Sequence, residues 1–101
     1  MATLELKTIR CHRKHDVVGD DELTLNVNSA FVWNGVMHND QVRTVGVNRA
    51  FKGSASVTLE ETSNGKAKQI GGAVTIRESG SPASVQFKTS GTHYELFLDV
   101  S

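Results

Sequence analysis

The stretch 55–76, ASVTLEETSNGKAKQIGGAVTI, decides the fold class. Apolar and polar residues alternate on both sides of Asn64-Gly65. Asn-Gly between alternating segments is the strongest short-range signal of a β-hairpin, because a type I′ turn needs positive φ at both central positions. With the turn there, apolar side chains face apolar or small ones and a glutamate faces a lysine. The predicted pairs are Ser63 with Lys66, Glu61 with Lys68, Leu59 with Ile70, Val57 with Gly72, and Ala55 with Val74.

A second hairpin is predicted at the C-terminal end of the sequence. A turn at Ser90-Gly91 again brings apolar residues opposite apolar ones and leaves polar residues on the other face. The loop 78–82 separates this hairpin from the first one. The predicted pairs are Phe87 with Tyr94, Val85 with Leu96, Ala83 with Leu98, and Gln86 with Glu95.

Alternation is also present in the first half of the chain. Residues 4–7 alternate, and a change of phase at Ile9 predicts a bulge near Thr8. Further strands are predicted over residues 22–27 and 42–47. The run 31–33 is apolar throughout, so that strand is either buried on both faces or twisted at the edge of a sheet.

Together these segments make about eight short strands, with no amphipathic helix, internal repeat or domain boundary. We therefore predict an all-β fold, a single domain over residues 1–101 that forms an eight-stranded antiparallel β-sandwich. Its expected core is Leu6, Leu25, Val27, Val57, Leu59, Ile70, Val74, Ile76, Val85, Phe87, Tyr94, Leu96 and Leu98.

Composition narrows the classes of function. The 101 residues carry 11 basic and 11 acidic side chains, so no net basic field points to a nucleic-acid partner. Cys11 is the only cysteine, which rules out an intrachain disulfide. No apolar run is long enough to be a transmembrane segment, and Glu5 interrupts any signal peptide at the N-terminus. A soluble protein is expected, and the sequence does not indicate its compartment.

Residues 16–23, DVVGDDEL, resemble the first calcium loop of C2 domains, and Ile70-Gly71 is similar to the Ile-Gly after their third loop. The strand after the first stretch and Trp33 are similar in layout. The resemblance implies a C2-like sandwich. It also implies calcium bound through aspartates of two loops, and a lipid-headgroup or protein partner.

Carried over to this chain, the resemblance makes Asp16, Asp20, Asp21 and Glu22 the candidate metal ligands. The opposite loop contributes lysines in place of aspartates, whereas calcium needs six to eight oxygen ligands. We therefore predict a weak calcium site, with Asp40 as the available ligand from another loop. The alternative is a solvated loop between strands, with Gly19 at a position of positive φ.

Other candidate sites have less support in the sequence. Cys11, His12 and His15 are zinc-ligand types, but on an extended strand His12 and His15 point to opposite faces, and Cys11 is expected to point inward. A Cys-His nucleophile has no local motif. Gly71-Gly72 is interpreted as a bulge or a close backbone approach. Trp33 is either a core residue or an exposed platform for sugars or a partner.

The sequence thus predicts a non-catalytic binding module, not an enzyme. Its partner is a protein or an anionic surface, which Arg10, Arg13 and Lys14 would meet. Two alternatives remain open: an assembly protein that forms homo-oligomers through its sheet edges, and a small lectin-like, carbohydrate-binding module that uses Trp33.

Overall fold

The computed structural model describes residues 1–13, 21–63 and 65–101. The strands are β1 (Ala2–Arg13), β2 (Asp21–Val27), β3 (Ala30–Met37), β4 (Val42–Phe51), β5 (Ser54–Ser63), β6 (Lys66–Gln69), β7 (Val74–Arg77), β8 (Ser84–Thr89) and β9 (Thr92–Val100). Within these ranges there is no helix that could cross a membrane.

The strands form two antiparallel sheets that pack as a sandwich. Sheet A has the order β4-β1-β9-β8, and sheet B has the order β3-β2-β5-β6, with β7 pairing with β5 as well. Since β6 and β7 follow one another along the same side of β5, they act as one interrupted edge strand. Each sheet is then four strands wide, so the all-β prediction of an eight-stranded sandwich is confirmed, with one strand divided in two.

The core lies between the sheets, where inward side chains of both meet. Every predicted core residue is buried except Val74, which is partly buried at the sheet edge. The alternation of apolar and polar residues on each strand explains why the core could be predicted, because a strand places every second side chain on the same face. The sequence did not single out Leu4, Ile9 or Met37, which are fully buried.

The register of the first hairpin is confirmed near its turn and wrong farther away. Ser63 pairs with Lys66 and Glu61 pairs with Lys68. Beyond Ile70, whose N–H donates to the Leu59 carbonyl at 2.7 Å, the pairing moves by two residues. Val57 faces Val74 and Ala55 faces Ile76, not the residues predicted for them. Positive φ at Gly71 lets the chain leave the ladder and rejoin it, so the glycine pair marks an irregularity as expected.

The other predicted strand features are confirmed. Phe87 pairs with Tyr94 and Val85 with Leu96. In β1 the register shifts between Leu6 and Thr8, where the bulge was expected. The run 31–33 belongs to β3, which is an edge strand with its own register shift, so the second of its two interpretations is correct. Strand β4 extends beyond the predicted segment to Phe51.

Both sheets end in edge strands, β3 and the interrupted β6–β7 in sheet B, β4 and β8 in sheet A. Self-association through these edges stays a prediction.

Candidate binding site

The ends of several strands meet at one end of the sandwich, called here the loop end. Strand β1 ends there at Arg13 and β2 begins there at Asp21, while the register places the β3–β4 link and the β5–β6 and β8–β9 turns beside them. The Asp40 N–H donates to the Cys11 carbonyl at 2.8 Å, and the Cys11 N–H donates to the Gln41 carbonyl at 2.9 Å. Exposed Asp40 therefore lies next to the last residues of β1.

The described members of the predicted calcium site point to different places. Asp21 is completely buried, and its carboxylate accepts a hydrogen bond from the Tyr94 hydroxyl. Glu22 is exposed on the outer face of sheet B. Asp16 and Asp20 lie outside the described residues. No group of three or more potential ligands that could hold a metal occurs within residues 1–13, 21–63 and 65–101, so the calcium site remains a prediction.

Asp21 belongs to a polar contact inside the sandwich. Burial raises the pKa of Tyr94 far above its usual range, and hydrogen bonds with Asp21 and Cys11 raise it further. The signal for this contact was in the sequence. Asp21 has the same strand phase as Leu23, Leu25 and Val27, all of which are buried. Extending the alternation of the predicted strand by one residue would have placed the Asp21 side chain inside, whereas the resemblance predicted a metal ligand.

A basic corner occupies one side of the loop end and consists of Arg13, Lys66, Lys68 and Lys88. All four side chains are exposed. Arg13 and Lys88 both pair with His93 in sheet A, while Lys66 and Lys68 lie on β6 in sheet B. The sheets approach closely here, since Lys68 and Thr89 line the same narrow slot. Exposed Glu22 lies on β2, two strands away from the lysines of β6 in sheet B, while buried Glu61 pairs with Lys68 within the corner.

No protein-family model and no curated protein matches the chain. A solved structure described as "Structure of a C2 domain" aligns with 100% of this chain and 99% of its own, with a TM-score of 0.61 and 13% identity. This chain has the C2 fold. At that identity the similarity concerns the fold alone.

The C2-type sandwich carries a second polar cluster on the outer face of sheet A. The imidazole rings of His12 and His93 stack with centroids 4.4 Å apart, and His12 Nε2 lies 2.9 Å from Glu95 Oε1. The Ser84 hydroxyl donates to Glu95 Oε2 at 2.7 Å, and His93 Nε2 bonds to the Gln86 amide oxygen. His12 and Glu95 are 83 residues apart in the sequence, and the pairing of β1 with β9 brings them together. Sequence spacing therefore could not reveal this cluster.

The cluster shifts the acidity of two of its members. The hydrogen bonds from Ser84 and His12 hold the pKa of Glu95 below its usual range. Burial lowers the pKa of His93, and the neighbouring His12 and Lys88 lower it further. Because Glu95 lies between Ser84 and His12, the serine donates to a carboxylate instead of to an imidazole. This arrangement differs from an activated nucleophile, in which the base contacts the hydroxyl directly.

Cys11 and His12 project from opposite faces of β1 in the C2-type sandwich. The Cys11 thiol is fully buried, while His12 lies with Glu95 on the outer face. Their separation follows from strand alternation, as the sequence indicated. Neither zinc ligation by Cys11 and His12 together nor a Cys11–His12 nucleophile pair is compatible with this geometry, and His15 lies outside the described residues.

Trp33 packs at the open side of the C2-type sandwich between β3 and β4. Its ring lies beneath the Arg43 guanidinium, 5.7 Å from the ring centroid, and against Gly35. Arg43 also donates to the Val36 carbonyl at 3.1 Å and so joins the two edge strands. Trp33 is partly buried and covered, and it is Phe31, 60% exposed, that presents an aromatic ring to solvent.

Proposed function

We propose that this protein is a non-catalytic binding module that docks on an anionic surface through the basic corner, and that calcium in the Asp16–Glu22 loop strengthens this docking. The observation that supports the proposal best is the collection of exposed Arg13, Lys66, Lys68 and Lys88 at the loop end. The C2-type fold is consistent with a binding role.

The size of the electrostatic attraction is sufficient for weak, reversible docking. Each basic residue close to an anionic membrane contributes about 1 kcal/mol, so the corner contributes about 4 kcal/mol. Exposed Glu22 and Asp40 at the same end oppose this attraction. At 0.1 M salt the attraction between exposed charges decays over a distance of about 10 Å, and this distance shortens as salt is added. Docking must therefore weaken as ionic strength rises.

Calcium has a clear electrostatic role in this proposal. Asp16 and Asp20 would supply oxygen ligands from the acidic segment, with Asp40 in the adjoining link as a further donor. A bound divalent cation would neutralise carboxylates that repel an anionic surface. Asp21 is already engaged by Tyr94 and would position the segment from the interior.

Replacing two lysines of the basic corner should weaken docking. The double substitution Lys66→Gln with Lys88→Gln removes about 2 kcal/mol of attraction, which corresponds to roughly 30-fold weaker binding to phosphatidylserine-containing vesicles. Co-sedimentation with vesicles of phosphatidylcholine alone and with added phosphatidylserine measures this. Lys52→Gln with Arg77→Gln is the matched control, because both residues are exposed and lie near the opposite end. Equal binding by the two double variants, or equal binding to both vesicle types, would contradict the proposal.

Calcium should stabilise the folded chain. For a dissociation constant of about 1 mM, 10 mM calcium adds about 1.4 kcal/mol by mass action and raises the melting temperature by several degrees. Asp20→Asn should reduce this rise, whereas Asp99→Asn, an exposed aspartate near the other end of β9, should leave it unchanged. Thermal melting in calcium, in magnesium at equal ionic strength and in EGTA is the measurement. Identical melting temperatures in all three would remove calcium from the proposal and leave the vesicle test standing.

A further inference from the structure

A depression of about 420 Å³ lies on the outer face of sheet B, away from the basic corner. The side chains that line it come from three neighbouring strands and are Glu22, Thr24, Asn34, Val36 and Thr62. Its volume falls within the range of small-molecule sites. Three of the five, Thr24, Asn34 and Thr62, have short side chains, which keeps the surface of the sheet low there.

Strand pairing arranges this face in three rows. Val36, Glu22 and Thr62 form the first row, and Asn34 and Thr24 lie in the second row beside Glu60. The third row joins Phe31 to Asn26. The Asn26 amide donates to the Glu60 carboxylate at 2.7 Å, which fixes both groups on this face.

The charge of the lining determines which ligands are compatible. Among the residues that the structure describes, Glu22 is the only charged side chain in it, and no described lysine or arginine lines the depression. A phosphate, a lipid headgroup or a nucleic acid would be repelled here, in contrast to the basic corner. The ligand must therefore be neutral or cationic.

Hydrogen-bonding capacity favours a neutral ligand rich in hydroxyl groups. Threonine hydroxyls and the asparagine amide both donate and accept, so they match groups that also do both, whereas an ammonium group only donates. Within the described ranges, no protein group hydrogen-bonds to the side chains of Thr24, Asn34 or Thr62, so these are available to a ligand.

Phe31 and Val36 add apolar contacts on the same face. Phe31 is 60% exposed and Val36 is 46% exposed, and both belong to β3 at the edge of the sheet. An exposed aromatic ring offers a flat apolar surface, which suits the C–H face of a sugar ring. Polar side chains in the depression, with exposed apolar side chains beside them, are the combination that binds an extended polyhydroxylated chain.

We infer that the outer face of sheet B binds a neutral oligosaccharide, with Phe31 stacking on one sugar ring and Asn34, Thr24 and Glu22 hydrogen-bonding to hydroxyls. The inference goes beyond anionic docking and uses a different surface. It also moves the aromatic contact from Trp33, which Arg43 covers, to Phe31.

Titration with defined oligosaccharides tests this inference. The probes are the hexasaccharides of cellulose, xylan, laminarin, mannan and chitin. Binding is measured from changes in the chemical shifts of the backbone amides. At least one probe should shift the amides of Thr24 and Asn34 with saturable binding. Phe31→Ala should weaken that binding roughly tenfold and Asn34→Ala by a similar factor.

Matched controls lie on sheet A. Val42→Ala removes an exposed apolar side chain and Asn48→Ala removes an exposed amide, and neither should change the affinity. No shift with any probe at 10 mM, or equal affinity in Phe31→Ala and Val42→Ala, overturns the inference. Binding of a lysine-rich peptide on this face instead, lost in Glu22→Gln and in high salt, would also overturn it in favour of a cationic ligand. Neither outcome affects the vesicle test, which concerns another surface.

Discussion

Replacing Tyr94 with phenylalanine is expected to lower the free energy of unfolding by about 2 kcal/mol at pH 7. The Tyr94 hydroxyl is buried and donates to the Asp21 carboxylate, and removing it leaves a buried acceptor without this donor. Losing one partner of a buried hydrogen bond to a carboxylate costs about 1.5–3 kcal/mol. Urea unfolding followed by tryptophan fluorescence measures the difference, since Trp33 is the only tryptophan.

The difference in stability between the wild type and Tyr94→Phe should depend on pH. Folding raises the pKa of Tyr94 above the 10.0 of an exposed tyrosine. Above that pH the unfolded chain loses the phenol proton and the folded chain keeps it, so the stability of the wild type falls by about 1.4 kcal/mol per pH unit from this group. The phenylalanine variant lacks this loss. The two proteins should therefore become equally stable near pH 11.5, by which point about 2 kcal/mol has been lost.

Asp21→Ala and the double variant with Tyr94→Phe complete a thermodynamic cycle. The alanine removes the carboxylate that accepts the hydrogen bond from the Tyr94 hydroxyl. A coupling energy of about 1–2 kcal/mol is expected, as for groups in direct contact. Additive effects of the two substitutions, or a stability difference that is constant from pH 7 to 11.5, would contradict the buried contact.

Replacing Gly71 with alanine is expected to destabilise the fold by about 2 kcal/mol or more, which lowers the melting temperature by roughly 8–16 °C. Gly71 has a φ of +69°, a conformation that costs an L-residue about 1–2 kcal/mol. An added Cβ would also lie 3.0 Å from the Lys88 carbonyl oxygen and 3.1 Å from its nitrogen. Both neighbours are backbone atoms of β8, so relief requires the two sheets to move apart locally.

The adjacent glycine provides the control for this prediction. An added Cβ at Gly72 meets no atom within 4 Å, and its φ lies outside the left-handed region. Gly72→Ala should therefore be neutral or slightly stabilising, because alanine restricts the unfolded chain more than glycine does. The measurement is the melting temperature of each single variant compared with that of the wild type. Equal melting temperatures would mean that the β6–β7 link does not need glycine at position 71.

The candidate sites were less accessible to sequence reasoning than the fold. The resemblance made Asp21 a candidate metal ligand, and its strand phase, which would have placed it inside, was not used. The His12–His93 stack and the basic corner join residues from strands that are distant in sequence. Such neighbours depend on strand order, which neither composition nor local spacing specifies.

By itself, the sequence determined the strands, their inward faces and the register next to each turn. Alternation has a period of two, and turn residues such as Asn64-Gly65 set which residues pair within a few positions of them. Only the tertiary structure decided the two-residue change of register after Ile70, the covering of Trp33 by Arg43 and the exposure of Phe31. These features depend on contacts between the edge strands of the two sheets. The residues in such contacts are far apart in the sequence, so no local sequence pattern predicts them.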